Sequence, residues 1–202
     1  MTSLFDGFLE FDLRVFQWVA NLYNPILDKI MVLITYSGEA GAIFILISAI
    51  LFFNKKYRKI GFCMLVSMLI MLVLNNFVLK EIFERARPFN LELTWWVEEY
   101  IYPNLVSEPT SFSFPSGHTS SAFAAAIACL WYNRKIGIPV TIFAFIMGFS
   151  RIYVGVHYFS DVAFGVLVGI IYALLGVLVT KYCFEKFNNK VFERKQNSKK
   201  EL

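Results

Sequence analysis

Residues Ile60–Leu79 read IGFCMLVSMLIMLVLNNFVL, an uninterrupted run without a single charge, with Arg58-Lys59 immediately before it and Lys80 immediately after it. About 20 apolar residues rising 1.5 Å each are what a helix needs to cross about 30 Å of hydrocarbon. This stretch is therefore read as a membrane span, and it decides the fold class. Val162–Thr180 is a second charge-free run of nearly the same length. Ala40–Phe53 and Ile136–Ser150 are shorter and extend into their flanks. Thr119–Asn133 is charge-free, as is the loop from Pro109 that leads into it. Phe16–Tyr36 is apolar but carries Asp28 and Lys29, so spanning the membrane and lying at its interface are both open for it. The expectation is an all-α polytopic membrane protein of about six transmembrane helices.

Composition agrees. Of 202 residues 57% are hydrophobic and 17% charged, against about 25% charged in an ordinary soluble domain. Mean hydropathy is +0.57, and 22 phenylalanines argue against disorder. The net charge of +4 does not mark a nucleic-acid binder, because the basic residues sit in short clusters between apolar runs. Cys63, Cys129 and Cys183 stand singly, without metal-ligand spacing, and read as packing residues. The N-terminus has no Lys or Arg before its first apolar stretch and no small-residue cleavage site, so the spans themselves are expected to direct insertion.

Positive charge orients the chain. Lys55, Lys56, Arg58 and Lys59 fill one loop, Arg134 and Lys135 another, and the tail 181–202 carries seven more basic residues, among them Lys181 and Lys186. Cytoplasmic loops carry the Lys/Arg excess, so these three clusters are expected in the cytoplasm, the tail as a solvated topology anchor. The turn Ser37–Gly41, the long segment Glu81–Phe114 and the loop Arg151–Asp161 then fall on the opposite, extracytoplasmic side. No repeat or linker divides the chain, which reads as one integral membrane domain, 1–202. Trp95-Trp96 in the long segment suits the headgroup level, while Glu92, Glu98, Glu99 and Glu108 read as solvated.

Ionisable residues in or beside spans are costly and mark functional sites. Here they gather at one depth: Lys80 and Arg87-Pro88, Pro115-Ser116-Gly117-His118, Ser150-Arg151, and His157 with Asp161, including both histidines of the chain. Lys80 and Arg87 are seven apart, sharing a face if the helix continues, and their side chains can converge on one anion. Arg85 lies off that face and reads as a surface residue. Ser116-Gly117 before an Ala-rich helix is either an ordinary cap or an anion cradle of free amides. Asp161, four residues after His157, can hold one ring nitrogen and leave the other free to act as nucleophile or base. His157 and Asp161 as zinc ligands are the weaker alternative, since Lys80, Arg87 and Arg151 repel a metal and attract a phosphate. The set suits phosphoryl transfer.

These residues resemble a known family. Lys80-x6-Arg87-Pro88, then Pro115-Ser116-Gly117-His118, then Ser150-Arg151-x5-His157-x3-Asp161 look like the three-part signature of the type 2 phosphatidic acid phosphatases, in order and spacing, with no departure at a signature position. The resemblance implies a lipid phosphatase without metal or other cofactor, working through a phosphohistidine intermediate. It implies that His157 attacks phosphorus, Asp161 holds its ring, and His118 protonates the leaving oxygen and later activates water. Lys80, Arg87 and Arg151 would bind the phosphate oxygens, helped by Ser116 and the Gly117 amide; Ser150 would be structural or phosphate-adjacent. The implied substrates are phosphatidylglycerol phosphate, undecaprenyl diphosphate or phosphatidic acid in the bilayer, with no obligatory protein partner. The competing class is a non-catalytic anionic-lipid binding or transport protein.

Overall fold

The computed structural model describes residues 5–90 and 105–198, with side chains to residue 186. Every described regular element is a helix. Helix α1 (Asp6–Ala20) is followed by α2 (Pro25–Ser37), whose start is fixed by Pro25 in the first turn and by the Asn24 side chain accepting from Ile26 N and Leu27 N. Helix α3 is Ala42–Phe53 and α4 is Arg58–Met71; α4 continues through a π-helical stretch, Leu72–Leu79, into one α-helical turn, α5 (Lys80–Phe83). The remaining helices are α6 (Gly117–Tyr132), α7 (Arg134–Tyr153) and α8 (Phe159–Ser198).

Among the described residues, three helical stretches are long and apolar enough to cross a membrane, Arg58–Asn90, Arg134–Tyr153 and Phe159–Lys186; α2 with the stretch Glu39–Phe53, bent by 52°, makes up to four. That is fewer than the six expected from charge-free runs, for two physical reasons. The run Phe16–Tyr36 is not one helix, because the chain turns at Asn21 and restarts at the Asn24 cap. Helix α6 has 16 residues and occupies the bundle centre, where Ala122, Phe123, Ala124, Ala125, Ala126 and Ala128 are buried.

Helix α1 lies across one end of the bundle. Phe5 packs on Phe83 and Phe114, Phe11 on Phe159, and Trp18 on Phe149, so both of its ends meet residues at the same end of α5, α6, α7 and α8. At the other end of the bundle the basic loops settle on aromatic rings: Lys59 lies over Tyr132 and Phe184, and Lys181 over Trp131. Leu69, Phe77, Ile142, Phe145, Leu167 and Leu178 point outward, as a hydrocarbon solvent allows. Cys63 and Cys129 are buried, as expected; Cys183 is exposed, because it lies on the outward face of α8.

Apolar burial gives little drive between helices in lipid, so close approach and dispersion must hold the bundle. Along α8, Gly165 passes Thr119 and the Ser116 carbonyl, and Gly169 passes Phe123 and the Ser120 carbonyl. This close approach fixes α8, and with it Asp161, against the start of α6. A methyl at Gly169 would stand 2.7 Å from Phe123 Cβ and 2.8 Å from the Ser120 oxygen. Gly169→Ala is therefore expected to destabilise the fold by about 1–3 kcal/mol, read as a lower thermal midpoint in detergent. An unchanged midpoint would show that α6 and α8 can separate at no cost.

Candidate active site

Helix α7 ends at Tyr153, and Gly155, at φ +75°, turns the chain so that Val156, His157 and Tyr158 return before α8 begins. Asp161 falls in the first turn of α8, and its Oδ2 lies 3.4 Å from His157 Nδ1. The same oxygen accepts from Ser113 Oγ and, at 3.0 Å, from the Tyr158 amide, while Ser113 Oγ stands 3.4 Å from Nδ1. The other ring nitrogen, Nε2, lies 3.3 Å from Arg87 Nη1. A guanidinium can only donate, so Nε2 carries the lone pair and Nδ1 the proton. His157 is thus held from behind by a carboxylate and presents an unprotonated nitrogen to the site.

The cations arrive by different routes. Lys80, in the turn of α5, donates to Ser111 Oγ at 3.0 Å, and Arg87 Nη2 donates to the same oxygen at 3.1 Å. They converge, but not along one helix face. Helix α5 stops at Phe83, Glu84 takes a left-handed φ of 43°, and Arg87 lies beyond the end of the helix. Arg87 is further held by the Ser111, Val156 and Phe112 carbonyls. Arg151, in the last turn of α7, donates to Thr35 Oγ1 on α2. All three cations are at most 8% exposed.

The same break at Glu84 overturns the surface assignment of Arg85. Its guanidinium is 7% exposed and is ion-paired to Asp161 Oδ1 and to Asp12 Oδ2. A helical projection cannot be carried past a residue that leaves the helix.

Ser116 caps α6, its hydroxyl accepting from Thr119 N and, at 3.0 Å, from Thr119 Oγ1, and its amide donating to the Asp161 carbonyl. That hydroxyl is buried behind the cavity wall. Gly117 opens directly on the cavity: the nearest atom to a side chain built there would be Asn76 Oδ1, at 3.7 Å. His118 follows on the same wall, packed beside Gly38 of the α2–α3 turn. Ser150 donates to the Met147 carbonyl inside its own helix, a structural bond.

A cavity of about 600 Å³ joins these groups, with Lys80, Arg87, Gly117, His118, Arg151 and His157 on its walls. Burial holds the His157 imidazole well below the ordinary histidine value, and Arg87, Arg151 and Lys80 press it lower still. A ring kept neutral among three cations is ready to attack an anion that those cations attract.

Sequence reasoning missed Ser111, Ser113, Thr35 and Asn76, all of which hold Lys80, Arg87, Asp161 or Arg151 or line the cavity. Ser111 and Ser113 alternate in a short run directly before the Pro115–His118 motif, the one signal that could have flagged them. Glu92, Glu98, Glu99 and the Trp95-Trp96 pair lie outside the described residues.

Residues 56–185 match the family model of the PAP2 superfamily. The chain is 39% identical over 153 residues to undecaprenyl-diphosphatase BcrC of Bacillus subtilis (strain 168), covering 76% of this chain and 75% of that protein. It is 32% identical to an undecaprenyl-diphosphatase of Sulfolobus acidocaldarius, covering 85% of this chain and 79% of the relative. A crystal structure of a PAP2-type phosphatidylglycerolphosphate phosphatase from Bacillus subtilis superposes with a TM-score of 0.65 at 29% identity, covering 90% of this chain and 88% of that one. With a family match over more than half its length, and relatives that are phosphatases, the chain belongs to the PAP2 superfamily of membrane lipid phosphatases.

Proposed function

We propose that this phosphatase removes the terminal phosphate from undecaprenyl diphosphate, phosphatidylglycerol phosphate, or both, through a phosphohistidine on His157. The observation that carries the reading is the orientation of His157: Nδ1 backed by Asp161 and Ser113, Nε2 beside Arg87 on the wall of the cation-lined cavity. The two lipids share a terminal phosphate at headgroup depth, and relatives carrying the names of both enzymes support them as the candidates.

In the first step Nε2 forms a bond to phosphorus as the bond from phosphorus to the lipid-side oxygen breaks. His118 gives that oxygen its proton, and Lys80, Arg87 and Arg151 bind the non-bridging oxygens with the Gly117 amide. The Ser116 cap keeps that amide at the start of α6. In the second step His118 takes a proton from water, the hydroxide attacks phosphorus, and the P–N bond breaks to release phosphate. The balance is one water consumed, with lipid alcohol or lipid monophosphate and inorganic phosphate formed. No metal or cofactor has a role in this scheme.

The basic end of the bundle belongs in the cytoplasm by the positive-inside rule. The site then opens at the extracytoplasmic headgroup level of a multi-pass protein, and α1 rests on that face. The exposed Phe8, Phe11 and Trp18 of α1 suit such an interface.

The decisive measurement is phosphate release by purified protein in detergent, with excess chelator, from both lipids. His157→Ala and His118→Ala are each expected to lose at least about 100-fold in turnover while still folding. Turnover by the variants at the parental rate would end the phosphohistidine reading; lipid binding without phosphate release by the parent would favour a binding or transport protein. Arg151→Lys is expected to lower kcat/KM by about tenfold or more, because a two-point contact becomes a point charge; equal rates would place Arg151 outside phosphate binding. With only two histidines in the chain, labelled-histidine NMR separates them. The imidazole signal missing from His157→Asn should stay neutral below the usual value of about 6.5 and titrate higher once inorganic phosphate fills the site. Titration at the ordinary value without phosphate would contradict the cation-pressed ring.

A further inference from the structure

Asp12 lies on α1, a helix that carries no signature residue, yet it is fully buried and both its oxygens are used. Oδ1 accepts from the Ser160 amide at 2.8 Å, and Oδ2 accepts from Ser160 Oγ at 2.6 Å and from Arg85 Nη2 at 2.9 Å. The Arg85 guanidinium is clamped between the Phe5 and Tyr158 rings, 4.3 and 3.9 Å from their centroids, with its other edge on Asp161 Oδ1 and Ser160 Oγ. One guanidinium therefore serves two carboxylates, of which only Asp161 touches the catalytic histidine.

A buried Arg–Asp pair shared by no third group would spend Asp161 on Arg85. With Asp12 on the second edge, Arg85 and Asp12 balance one another, and Asp161 keeps a full negative charge beside His157. That charge is needed when Nε2 bonds to phosphorus, because the ring then becomes cationic with its proton on Nδ1. We propose that Asp12 is a positioning residue for the phosphatase: by offsetting Arg85 it leaves the charge of Asp161 to His157, and it docks α1 onto the start of α8. This inference rests on the phosphohistidine reading.

The groups facing this chain are known from each element packed on it. Asp12 comes from α1, Arg85 and Arg87 from the segment after α5, Ser113 from the loop before α6, and Tyr158, Ser160 and Asp161 from the start of α8. Lys80, Arg151 and His118 face His157 from α5, α7 and α6 and add positive or neutral groups only. Removing the Asp12 charge leaves Arg85 opposed by Asp161 alone, so Asp161 is drawn on by Arg85 at the expense of His157. The imidazolium and the phosphorylated ring both become less favourable, so kcat falls and the acid limb of its pH profile moves to lower pH.

The test compares Asp12→Asn, Arg85→Gln and the double variant, with His157→Ala as control, in turnover of undecaprenyl diphosphate and phosphatidylglycerol phosphate across pH. Asp12→Asn is expected to lose about 10–100-fold in kcat with its acid limb displaced downward. The position of the limb does not depend on how much protein folds, so a merely structural loss would leave it in place. The double variant, which removes a matched pair, is expected to regain at least about tenfold over Asp12→Asn and to return the limb to its parental position. An unmoved limb in Asp12→Asn, or a double variant no faster than Asp12→Asn, would overturn the proposal. If Asp12→Asn gives no folded protein, a folded double variant within about tenfold of the parent supports it, and one slower by more than a hundredfold, or no folded double variant, overturns it. Activity surviving in His157→Ala would instead mark failure of the phosphohistidine reading, whatever the Asp12 variants do.

Discussion

Three buried cations face one cavity, and the rest of the site is arranged around the cost of holding them there. Lys80 Nζ and Arg87 Nη2 share Ser111 Oγ and so stand no more than about 6 Å apart. Like charges at that distance repel by about 3 kcal/mol at an effective dielectric constant of 20, before any cost of burial. A soluble protein would commonly cancel such charges with carboxylates. Among the described contacts these cations donate to neutral acceptors: the hydroxyls of Ser111 and Thr35, the carbonyls of Ser111, Phe112 and Val156, and, from Arg87, Nε2 of His157. These acceptors bring no formal negative charge, which is what a phosphate would add under the proposed function.

Asp161 and Asp12 lie behind His157, away from these cations, while Glu39 is on the cavity wall. Asp161 points its two oxygens at Ser113, Tyr158 N and Arg85, and Asp12 closes the far side of Arg85. His157 stands between them and the cations, with its Nδ1 toward the acids and its Nε2 toward the cations. If Asp161 stood among Lys80, Arg87 and Arg151, it would compete with the substrate for them. Separation of this kind needs several chain segments fixed against one another at high precision, which the close contacts of Gly165 and Gly169 with α6 supply.

The fold class and the signature residues were legible because both depend on local pattern. A charge-free run such as Ile60–Leu79 states its own environment, and Lys80, Arg87, His118, Arg151 and His157 do reach a common cavity. What was not legible depends on where the chain leaves regular structure. A surface reading of Arg85 carries helical projection beyond Phe83, where the left-handed backbone of Glu84 ends the helix. The break at Asn21–Asn24 hides inside an apolar run, where hydropathy has no contrast to show it. Asp12 pairs with residues 73 and 148 positions away. No periodicity in its own helix could name them. Ser111 and Ser113 are ordinary loop residues until the fold puts a cation or an acid beside them.

This division of charge also bears on how little the site must move to bind. Ser111 Oγ already sits where Lys80 and Arg87 point together, and Gly117 lines the same cavity without a side chain in the way. A phosphate oxygen can take over from a hydroxyl as the shared acceptor without either cation changing its direction, and a charged acceptor is the stronger one. Displacing a carboxylate from a buried cation would cost more reorganisation than displacing these hydroxyls. A preorganised site avoids that reorganisation, and electrostatic stabilisation in such sites is usually the largest part of catalysis. In the proposed phosphate site, the hydroxyls and carbonyls that hold the cations therefore matter as much as the cations themselves.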